Sequence, residues 1–573
     1  MPIIRKIEIA NFRCLNRFVW HPIAGVNGLV GPGDSGKSTI LDAIDYCLGA
    51  RRNLAFVDTD FHCLDVSEPI RIEITIGSLD DPMKGIDTYG LYLRGYNRES
   101  GDIVEEPEAN HETVLTMQLL VQADLEPQWS MISARAAAQG FTRNLVWADR
   151  VRLSPTRLGI YSEHNLSWRR GSILNKLSEE RPDTSAALVA AAREVRTAFG
   201  EQAQEQLKEA LAAVSEAAQS LGIPIGEVKA LLDSHSVSIT GGMISLHNED
   251  GVPLKELGLG SARLLVAGLQ RKVWANSPIA LVDELEYGLE PHRIMRLIDA
   301  LGAKEADPTF QVFITTHSPV AVRELSGDQL FILRKDAHSH AITRVRSDND
   351  IQGTIRKFPE ALLAPSILVC EGATEVGLIR GLDQQRVAEG EIAVAAHGVA
   401  IVDGGGDTTF GRANAFLKLG YRVAVVRDSD VEPRGDSKNE FFANGGAIFD
   451  WRENFALEDE LFRSMPVSGI EGLLVSAIEL KEEPTIDDNI KSASENQYDL
   501  DAIKIEIFSN DVSVDARAAL ATAAKAGKGW YKSVSAMEKV AREVIGPHLK
   551  DADDEFCDQI IAIFDWATNA RRN

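Results

Sequence analysis

The residues of this sequence that could do metal chemistry are acids that follow two apolar runs. Glu371 and Glu375 come after "SILVC", and Asp428 and Asp430 come after "RVAVVR". Acids in this position can simply be solvated turn residues. If the runs are neighbouring parallel strands, however, their carboxyl ends share one edge, and Glu371, Asp428 and Asp430 converge.

Converging carboxylates need a partner. Two of them about 4 Å apart repel by roughly 4 kcal/mol at an effective dielectric of about 20, so they must protonate, bind a cation or separate. We expect Mg²⁺ or Mn²⁺, because these ions prefer oxygen ligands. Two such ions roughly 4 Å apart activate water and stabilise the leaving oxygen in phosphodiester cleavage.

A second set of residues has the spacing of a phosphate-binding loop. The segment "GPGDSGKST" lies between a strand-like and a helix-like run, as the P-loop motif requires. Its glycines let backbone N–H groups approach phosphate, and the helix N-terminus adds partial positive charge. We expect Lys37 to reach the β- and γ-phosphates and Ser38 to bind Mg²⁺. The candidate ATP-binding residues here are Gly31, Gly33, Gly36, Lys37, Ser38 and Thr39.

A later apolar run, "IALVDE", also ends in two acids. Asp283 is expected to hold Mg²⁺, and Glu284 to polarise the attacking water. A strand that ends in Asp-Glu is common by itself, but the upstream P-loop and the downstream "THSP" favour the nucleotide role. His317 is then a candidate sensor of the γ-phosphate.

Alternating strands and helices must position these residues. Residues 1–50 are predicted to form two strands, a loop and a helix, and a second α/β series begins near Phe358. Its apolar runs indicate buried parallel strands. From about 174 to 230, apolar residues recur at helical spacing, which predicts either an ordinary amphipathic helix or a hairpin that pairs two subunits. These residues are Leu207, Leu211, Val214, Ala218 and Leu221.

Length and composition indicate an ordinary globular protein. The 573 residues are too many for one hydrophobic core, and 44% are hydrophobic and 25% charged. Five scattered cysteines without CxxC spacing argue against disulfides and zinc and favour the cytoplasm. We find no membrane-helix or signal-peptide pattern. The net charge of −25 disfavours DNA binding, but screening limits each charge to roughly 8 Å, so local patches decide.

Four motifs resemble the ABC-type ATPase heads of SMC-like proteins: "IEIANF", "LGLGSAR" (257–263), "LVDELEYGLEP" and "ITTHSP". In that resemblance "LGLGSAR" is the signature motif, whose Gly260 and Ser261 bind the γ-phosphate of ATP held by another subunit. The usual form is Leu-Ser-Gly-Gly. Here Gly258 replaces the Ser and Leu259 the first Gly, so the hydroxyl contact is missing or comes from Ser261. A simple turn is the alternative interpretation.

An acid after one strand and Asp-x-Asp after another resemble the Toprim domain of topoisomerases, primases and some nucleases. An ABC head followed by Toprim resembles the OLD (overcoming lysogenization defect) nuclease family, which includes the nuclease subunit of the Gabija phage-defence system. The resemblance implies that Glu458 in "FALEDE" joins the metal ligands. The implied metal ligands at this site are Glu371, Glu375, Asp428, Asp430 and Glu458.

The same resemblance implies a late lysine that stabilises charge on the phosphate. The segment "KAGKGWYKS" offers Lys525, Lys528 and Lys532, of which we favour Lys532, with a solvated helix lysine as the alternative. Asp403 and Asp407 in "DGGGD" are expected to shape a glycine turn. Candidate DNA-binding segments are "RVRLSPTR" (150–157), "WRR" (168–170) and Arg51-Arg52, although plain surface is the simpler interpretation of each.

The predicted fold class is α/β: an ABC-type P-loop ATPase with an inserted helical dimerisation segment, followed by a C-terminal Toprim domain built on a parallel α/β sheet. The predicted boundaries are 1–170 and 236–358 for the ATPase, 171–235 for the insertion and 359–573 for Toprim. The predicted function is an ATP-binding DNA endonuclease in bacterial anti-phage defence that uses Mg²⁺ or Mn²⁺.

The expected partners are double-stranded DNA, further copies of this chain and, by the Gabija resemblance, a UvrD-like helicase. The copies would form a homodimer or higher homo-oligomer through the heads and the insertion. The alternative function is an SMC-like ATP-driven DNA clamp or repair protein whose Toprim domain binds DNA without cutting. An ABC transporter subunit or a type IA topoisomerase fits the motifs poorly.

Overall fold

The structure of the chain, a computed structural model, divides into two compact units. The first comprises residues 1–27 and 38–316, and the second comprises residues 28–37 and 317–573. The residues described are 2–51, 53–159, 253–270, 278–335, 339–346, 349–433 and 435–569, with isolated positions between 166 and 249 and at 272. The predicted helical insertion, "WRR" and Arg52 therefore lie outside the described residues, apart from those isolated positions, and the predicted domain boundaries stay predictions.

The strands fall into antiparallel and parallel groups. In chain order they are β1 (Ile3–Phe12), β2 (Leu15–Trp20), β3 (Val26–Val30), β4 (Ile70–Gly77), β5 (Arg94–Tyr96), β6 (Ile103–Val104), β7 (Glu112–Val121), β8 (Pro127–Met131), β9 (Thr156–Leu158), β10 (Ile279–Val282), β11 (Gln311–Thr315), β12 (Leu330–Lys335), β13 (His340–Arg344), β14 (Ser366–Cys370), β15 (Val399–Asp403), β16 (Arg422–Arg427) and β17 (Ala447–Asp450).

Most helices of the described residues lie in the second half of the chain. In chain order they are α1 (Lys37–Leu48), α2 (Ile86–Tyr89), α3 (Ala134–Ala138), α4 (Trp147–Leu153), α5 (Leu259–Gln270), α6 (Pro291–Ala300), α7 (Pro319–Glu324), α8 (Asn349–Lys357), α9 (Ala373–Ala388), α10 (Thr409–Lys418), α11 (Ser437–Ala443), α12 (Leu457–Ser464), α13 (Val467–Lys481), α14 (Glu483–Ala493), α15 (Leu500–Phe508), α16 (Val514–Lys525), α17 (Val534–Val540), α18 (Gly546–His548) and α19 (Asp554–Thr568). Within the described ranges, none of them combines the length and the apolar character that crossing a bilayer requires.

The first unit contains two groups of strands. A seven-stranded sheet has the order β2-β1-β4-β7-β5-β6, with β8 beside β7, and its pairings are antiparallel. Separately, β10 pairs in parallel with both β9 and β11. The prediction of two strands before the P-loop is wrong, since three form there: the second predicted strand, "FVWHPIAGVNGLVG", contains the end of β2 and all of β3, because Pro22 and a left-handed Gly25 (φ 77°) interrupt it.

The second unit is built around a four-stranded parallel sheet of order β15-β14-β16-β17. All five residues of β14 are buried, and so are five of the six residues of β16. This is the pattern expected of strands covered on both faces, so the prediction of buried parallel strands is confirmed for β14 and β16, whereas the parallel edge strand β15 is only partly buried. In the same unit, β12 pairs in parallel with residues 28–30 of β3 and antiparallel with β13.

Two glycines let helices of the second unit pack closely. A Cβ atom added at Gly377 of α9 would lie 2.6 Å from the carbonyl oxygen of Val534, and one at Gly381 would lie 2.3 Å from that of Glu538. Both distances are shorter than real Cβ atoms tolerate. The close packing of α17 on this face of α9 is therefore possible only because residues 377 and 381 are glycines. The segment that precedes α17 carries Lys532.

Candidate functional site

The first two acids of the site are brought together by adjacent strands. Glu371 follows β14 and Asp428 follows β16, and these strands are parallel neighbours. The Glu371 N–H donates to the carbonyl of Val426 at 2.9 Å, and the Asp428 N–H donates to Glu371 Oε2 at 3.1 Å. The convergence predicted for these two acids is therefore present. Asp430 lies two residues farther on and is exposed.

Two further acids reach the site from helix N-termini. Glu375 is the third residue of α9, and its Oε2 accepts a hydrogen bond from the Gly372 N–H at 2.8 Å. Glu458 is the second residue of α12, whose first N–H, that of Leu457, donates to Asp428 Oδ1 at 2.9 Å. Glu375 is 4% exposed and Glu458 is 3% exposed. Each helix thus delivers a buried carboxylate.

Burial and mutual repulsion make these carboxylates hard to ionise. Burial raises the pKa of Asp428 to about 9, and the charges of Glu375, Glu371, Glu458 and Asp430 add to the rise. Burial likewise raises the pKa of Glu375 to about 7, with Glu458 and Glu371 adding to it. Without a counter-ion, the cluster therefore holds protons near neutral pH.

Cations limit this effect at two members of the cluster. Burial raises the pKa of Glu371, and the guanidinium of Arg427 works against the rise. Burial also raises the pKa of Glu458, and Lys532 opposes that rise more strongly than Lys525 does. Lys525 is already paired, since its Nζ donates to both oxygens of Asp459 at 2.7 and 2.6 Å. The preference for Lys532 as the catalytic lysine stays a prediction.

The donor types at this sheet edge, rather than their present arrangement, suit a hard divalent cation. Among the described residues, no three acidic, histidine or cysteine side chains are arranged so that together they could hold a metal ion. Glu458 Oε1 is nevertheless buried without a hydrogen-bond partner in that part of the chain. A buried carboxylate oxygen without a donor, beside acids that repel one another, is what an oxygen-preferring ion such as Mg²⁺ would satisfy.

The P-loop adopts the backbone that its glycines allow. Gly36 has φ 93°, and a Cβ atom at Gly31 would lie 2.3 Å from the carbonyl oxygen of Leu333. A Cβ atom at Gly33 would contact nothing within 4 Å. Lys37 begins α1, and its Nζ donates to the carbonyls of Gly31 at 3.0 Å and Pro32 at 2.7 Å. The ammonium therefore points into the loop.

The residues predicted to bind Mg²⁺ in the first unit are in contact. Ser38 Oγ donates to Asp283 Oδ1 at 2.9 Å, and Thr315 Oγ1 donates to the same oxygen at 2.7 Å. Glu284 has φ 46°, a strained left-handed conformation, and its N–H donates to Thr315 Oγ1 at 2.8 Å. Thr39 Oγ1 lies 3.5 Å from Cys14 Sγ. In the second unit, His317 is exposed shortly after β11.

The signature segment begins a helix. Gly260 and Ser261 are the second and third residues of α5, so the alternative of a simple turn is wrong. Gly260 permits a close approach, since a Cβ atom there would lie 2.6 Å from the carbonyl oxygen of Gly288. Ser261 Oγ accepts a hydrogen bond from Arg293 Nη1 at 3.3 Å, so a hydroxyl is present at this helix N-terminus.

A family model identifies the region that contains these nucleotide motifs. The model described as "AAA domain, putative AbiEii toxin, Type IV TA system" matches residues 26–323, which is just over half of the chain. The chain belongs to this AAA-domain family. Its AAA domain includes the P-loop, the Asp283-Glu284 pair and His317, and the acidic cluster lies outside the matched residues.

One named relative and two solved structures are similar to this chain at low sequence identity. The chain is 23% identical over 491 residues to a protein named "OLD nuclease" from Thermus scotoductus, an alignment that covers 76% of this chain and 84% of the relative. Among solved structures, an SMC head bound to the C-winged helix domain of ScpA is 17% identical, with a TM-score of 0.33 over 59% of this chain and 96% of that one. The SMC head domain from Thermotoga maritima is 14% identical, with a TM-score of 0.27 over 60% and 99%. TM-scores this low do not establish a shared fold.

Arg263 is a residue of the AAA domain that sequence reasoning missed. It lies in "LGLGSAR", is fully buried, and donates to three carbonyls of the turn after β10. The accepting carbonyls and distances are Asp283 at 3.0 Å, Glu284 at 2.9 Å and Tyr287 at 2.7 Å. The motif predicted a role only for its glycines and its serine. Arg263, two residues after Ser261, nevertheless connects α5 to the Asp283-Glu284 turn through these hydrogen bonds.

The arginines of the segment 150–157 in the AAA domain are buried or paired with acids. Arg150 is buried, and its guanidinium stacks on Trp129 at 4.5 Å. Arg152 and Arg157 are paired with acids, namely Asp80, Asp42 and Asp283. Arg150 is therefore not part of a surface, whereas Arg152 and Arg157 are partly exposed and paired with acids, so a DNA-binding role for this segment stays a prediction. Arg51 is likewise paired, with Asp45.

The remaining sequence predictions concern the loops beside the acidic cluster. Asp403 Oδ1 accepts from the Gly405 N–H at 2.8 Å, and Gly405 and Gly406 are left-handed, so the predicted glycine turn is confirmed for Asp403, while the part of Asp407 stays a prediction. The Gly406 N–H donates to the carbonyl of Glu371 at 2.8 Å, so this turn also supports the site. Two charged residues next to the acids, Arg427 and Asp450, were not singled out from the sequence.

Proposed function

We propose that this chain is an ATP-binding, divalent-metal-dependent DNA endonuclease of the OLD type. The observation that carries the proposal is the meeting of Glu371, Glu375, Asp428 and Glu458 at one edge of a parallel sheet, in a chain with an AAA domain. The OLD nuclease from Thermus scotoductus supports it, because the similarity covers most of both chains. A C-terminal Toprim domain is the corresponding proposal for residues 359–573.

The acids and a lysine have distinct proposed roles. Glu371, Glu375, Asp428, Asp430 and Glu458 would hold one or two Mg²⁺ or Mn²⁺ ions. When bound, such ions activate water and balance charge on the phosphate. Lys532, whose charge already acts on Glu458, would stabilise negative charge on the phosphate during cleavage. The buried sheet edge would keep the carboxylates oriented and exclude bulk water.

The nucleotide residues support an ATPase role in the same chain. Ser38 and Asp283 would hold Mg²⁺ on ATP, Lys37 would contact its phosphates, and Glu284 would orient the attacking water. His317 would sense the γ-phosphate. The signature residues Gly260 and Ser261 would contact ATP held by a second copy, so we propose a homodimer or larger homo-oligomer of ABC type.

The biological setting follows from the family resemblance. We propose double-stranded DNA as the substrate, anti-phage defence as the role and, for a Gabija-type system, a UvrD-like helicase as partner. The formal net charge of −25 means that DNA contact must depend on local cations, of which Lys528 and Lys532 lie in the segment before α17.

A cleavage assay tests the nuclease proposal. Supercoiled and linear DNA are incubated with wild type and Glu371→Gln in Mg²⁺, Mn²⁺ or EDTA. We expect wild type to cut only with a divalent ion and Glu371→Gln to lose at least about a hundredfold in rate. Undiminished cutting by the variant would mean that a different site or a contaminant is responsible.

A further inference from the structure

Arg427 is a buried cation within the acidic cluster that the proposed chemistry does not use. It ends β16 directly before Asp428, and its side chain is 3% exposed. Its Nε lies 3.7 Å from Glu371 Oε2 and 3.7 Å from Asp450 Oδ1. One positive charge therefore sits between acids that follow β14 and end β17.

The rest of the guanidinium is fixed in place. Nη2 donates to the carbonyl of Val431 at 2.5 Å, which ties Arg427 to the turn that carries Asp428 and Asp430. The guanidinium carbon lies 5.9 Å from the ring centroid of Phe410. Among the described residues, Nη1 has no hydrogen-bond partner, and neither does the buried Oδ1 of Asp450. The charges of these ion pairs are thus close together, but the hydrogen-bonding capacity of Arg427 and Asp450 is not fully used.

A buried arginine at this position affects metal binding through its charge. An immobile cation beside a ligand repels a divalent ion, and the effect is strong because little water separates the charges. A second cation near this part of the cluster is Lys438, whose Nζ lies 3.4 Å from Asp450 Oδ2 and 3.7 Å from Glu432. Lys438 is more exposed than Arg427, so its charge is better screened.

We propose that Arg427 is a built-in counter-ion of the acidic cluster: a positioning residue that holds Glu371 in the absence of metal and weakens the binding of divalent ions. The inference rests on the proposed nuclease function, because it assumes that the cluster binds metal. The inference goes further, because it assigns to the cluster a fixed positive charge that competes with the metal ion. That charge raises the concentration of divalent ion at which the site is occupied.

The test is Mn²⁺ binding to the full chain without nucleotide, measured from the EPR signal of free Mn²⁺. We expect Arg427→Gln to bind Mn²⁺ about tenfold more tightly than wild type, because a fixed positive charge beside Glu371 is gone. Arg427→Lys keeps the charge and should bind within about threefold of wild type. This difference would not arise if Arg427 served only to pack the fold.

Arg422→Gln is the matched control. Arg422 begins the same strand, its guanidinium stacks on Trp566 at 3.9 Å, and its Nη2 donates to the carbonyl of that tryptophan at 2.7 Å. It therefore shares the strand, the aromatic contact and the backbone hydrogen bond with Arg427 but lies at the other end of β16. Its Mn²⁺ affinity should equal that of wild type.

Two outcomes separate this inference from the nuclease proposal. Equal or weaker Mn²⁺ binding by Arg427→Gln, while wild type binds and Asp428→Asn does not, overturns only the counter-ion role. Absence of Mn²⁺ binding by wild type overturns both. If Arg427→Gln does not fold, Asp450→Asn replaces it: we expect at least about threefold weaker binding, because Arg427 then acts on Glu371 alone. Unchanged or tighter binding by Asp450→Asn overturns the inference.

Discussion

Asp428 is the residue at which stability and the proposed chemistry conflict most directly. Its Oδ1 accepts the Leu457 N–H at the start of α12, so the fold needs its oxygen. Burial, together with the neighbouring Glu375 and Glu371, raises its pKa to about 9, so the fold disfavours its charge. A metal ligand must be ionised, and the charge becomes favourable only when a cation arrives.

Asp428→Asn should therefore stabilise the metal-free protein and abolish cleavage. The amide keeps the oxygen that accepts from Leu457 but carries no charge, so we expect a gain of about 1–3 kcal/mol in the free energy of unfolding at pH 8 in EDTA. Urea unfolding measures this gain. The exposed Asp511→Asn is the control and should change stability by less than about 0.5 kcal/mol. A loss of stability in Asp428→Asn would show that Asp428 is not repelled in the metal-free fold.

The pH dependence of the metal-free protein follows from the same group. Ordinary aspartate ionises near 3.8, whereas folded Asp428 keeps its proton to about 9. Between these values the folded state binds a proton that the unfolded state has released, so the free energy of unfolding falls as pH rises. The slope should be shallower in Asp428→Asn by up to about 1.4 kcal/mol per pH unit. Parallel stability curves for wild type and variant between pH 5 and about 9 would contradict the assignment.

At the scale of elements, the packing of α17 on α9 places a lysine beside acids. Glu375 lies in the first turn of α9, and Gly377 and Gly381 follow on the same helix. Because both glycines lack a Cβ atom, α17 comes close enough for the Lys532 charge to act on Glu458. The position of Lys532 relative to Glu458 therefore depends on the contact between α9 and α17.

Gly381→Ala tests this contact. The added methyl would lie 2.3 Å from the Glu538 carbonyl oxygen, so we expect a loss of about 1–3 kcal/mol in the free energy of unfolding and reduced cleavage. Gly411→Ala is a matched control on α10, since a Cβ atom there would contact nothing within 4 Å. That helical substitution should stabilise by about 0.5–1 kcal/mol. Equal stabilities of the two variants would rule out a tight helix contact.

The link between α5 and the turn after β10 supplies another element-scale prediction. Removing Arg263 takes from the carbonyls of Asp283, Glu284 and Tyr287 the donor that joins this turn to α5. Arg263→Gln should lower kcat for ATP hydrolysis by about tenfold or more while KM for ATP stays within about threefold, because Lys37 and Ser38 are untouched. Arg296→Gln, at an exposed position of α6, is the control. A rise in KM alone would mean that Arg263 supports nucleotide binding instead.

The sequence predicted those features that follow a local rule. Apolar runs ending in acids predicted β14, β16 and the meeting of Glu371 with Asp428, and the P-loop spacing predicted a nucleotide region. Arg427 and Arg263 were missed because a single arginine inside a motif has no spacing that distinguishes it. Arg150 and Arg157 were considered as surface because burial of a charged side chain depends on distant partners, here Trp129 and Asp283. Such long-range pairings cannot be obtained from one sequence.

At the scale of the whole molecule, two proposed kinds of phosphate chemistry belong to one chain. The AAA family match ends at residue 323, and the acids of the cluster begin at Glu371. The two sets of residues have no member in common, so each should be removable without loss of the other. Their connection can then be measured as the effect of ATP on cleavage.

Lys37→Ala separates the two chemistries. Lys37 Nζ donates to acceptors of its own loop on Gly31, Pro32 and Ser35, and none of these is an acid of the cluster, so its loss should leave the acids in place. We expect ATP affinity to fall by at least about tenfold, while metal-dependent cleavage without nucleotide stays within about threefold of wild type. Any change in cleavage rate that ATP causes in wild type, of either sign, should disappear in Lys37→Ala. If ATP still altered cleavage by the variant, the nucleotide would be acting at a site other than the P-loop. If the variant lost cleavage without nucleotide, the AAA domain would be required for the nuclease chemistry itself.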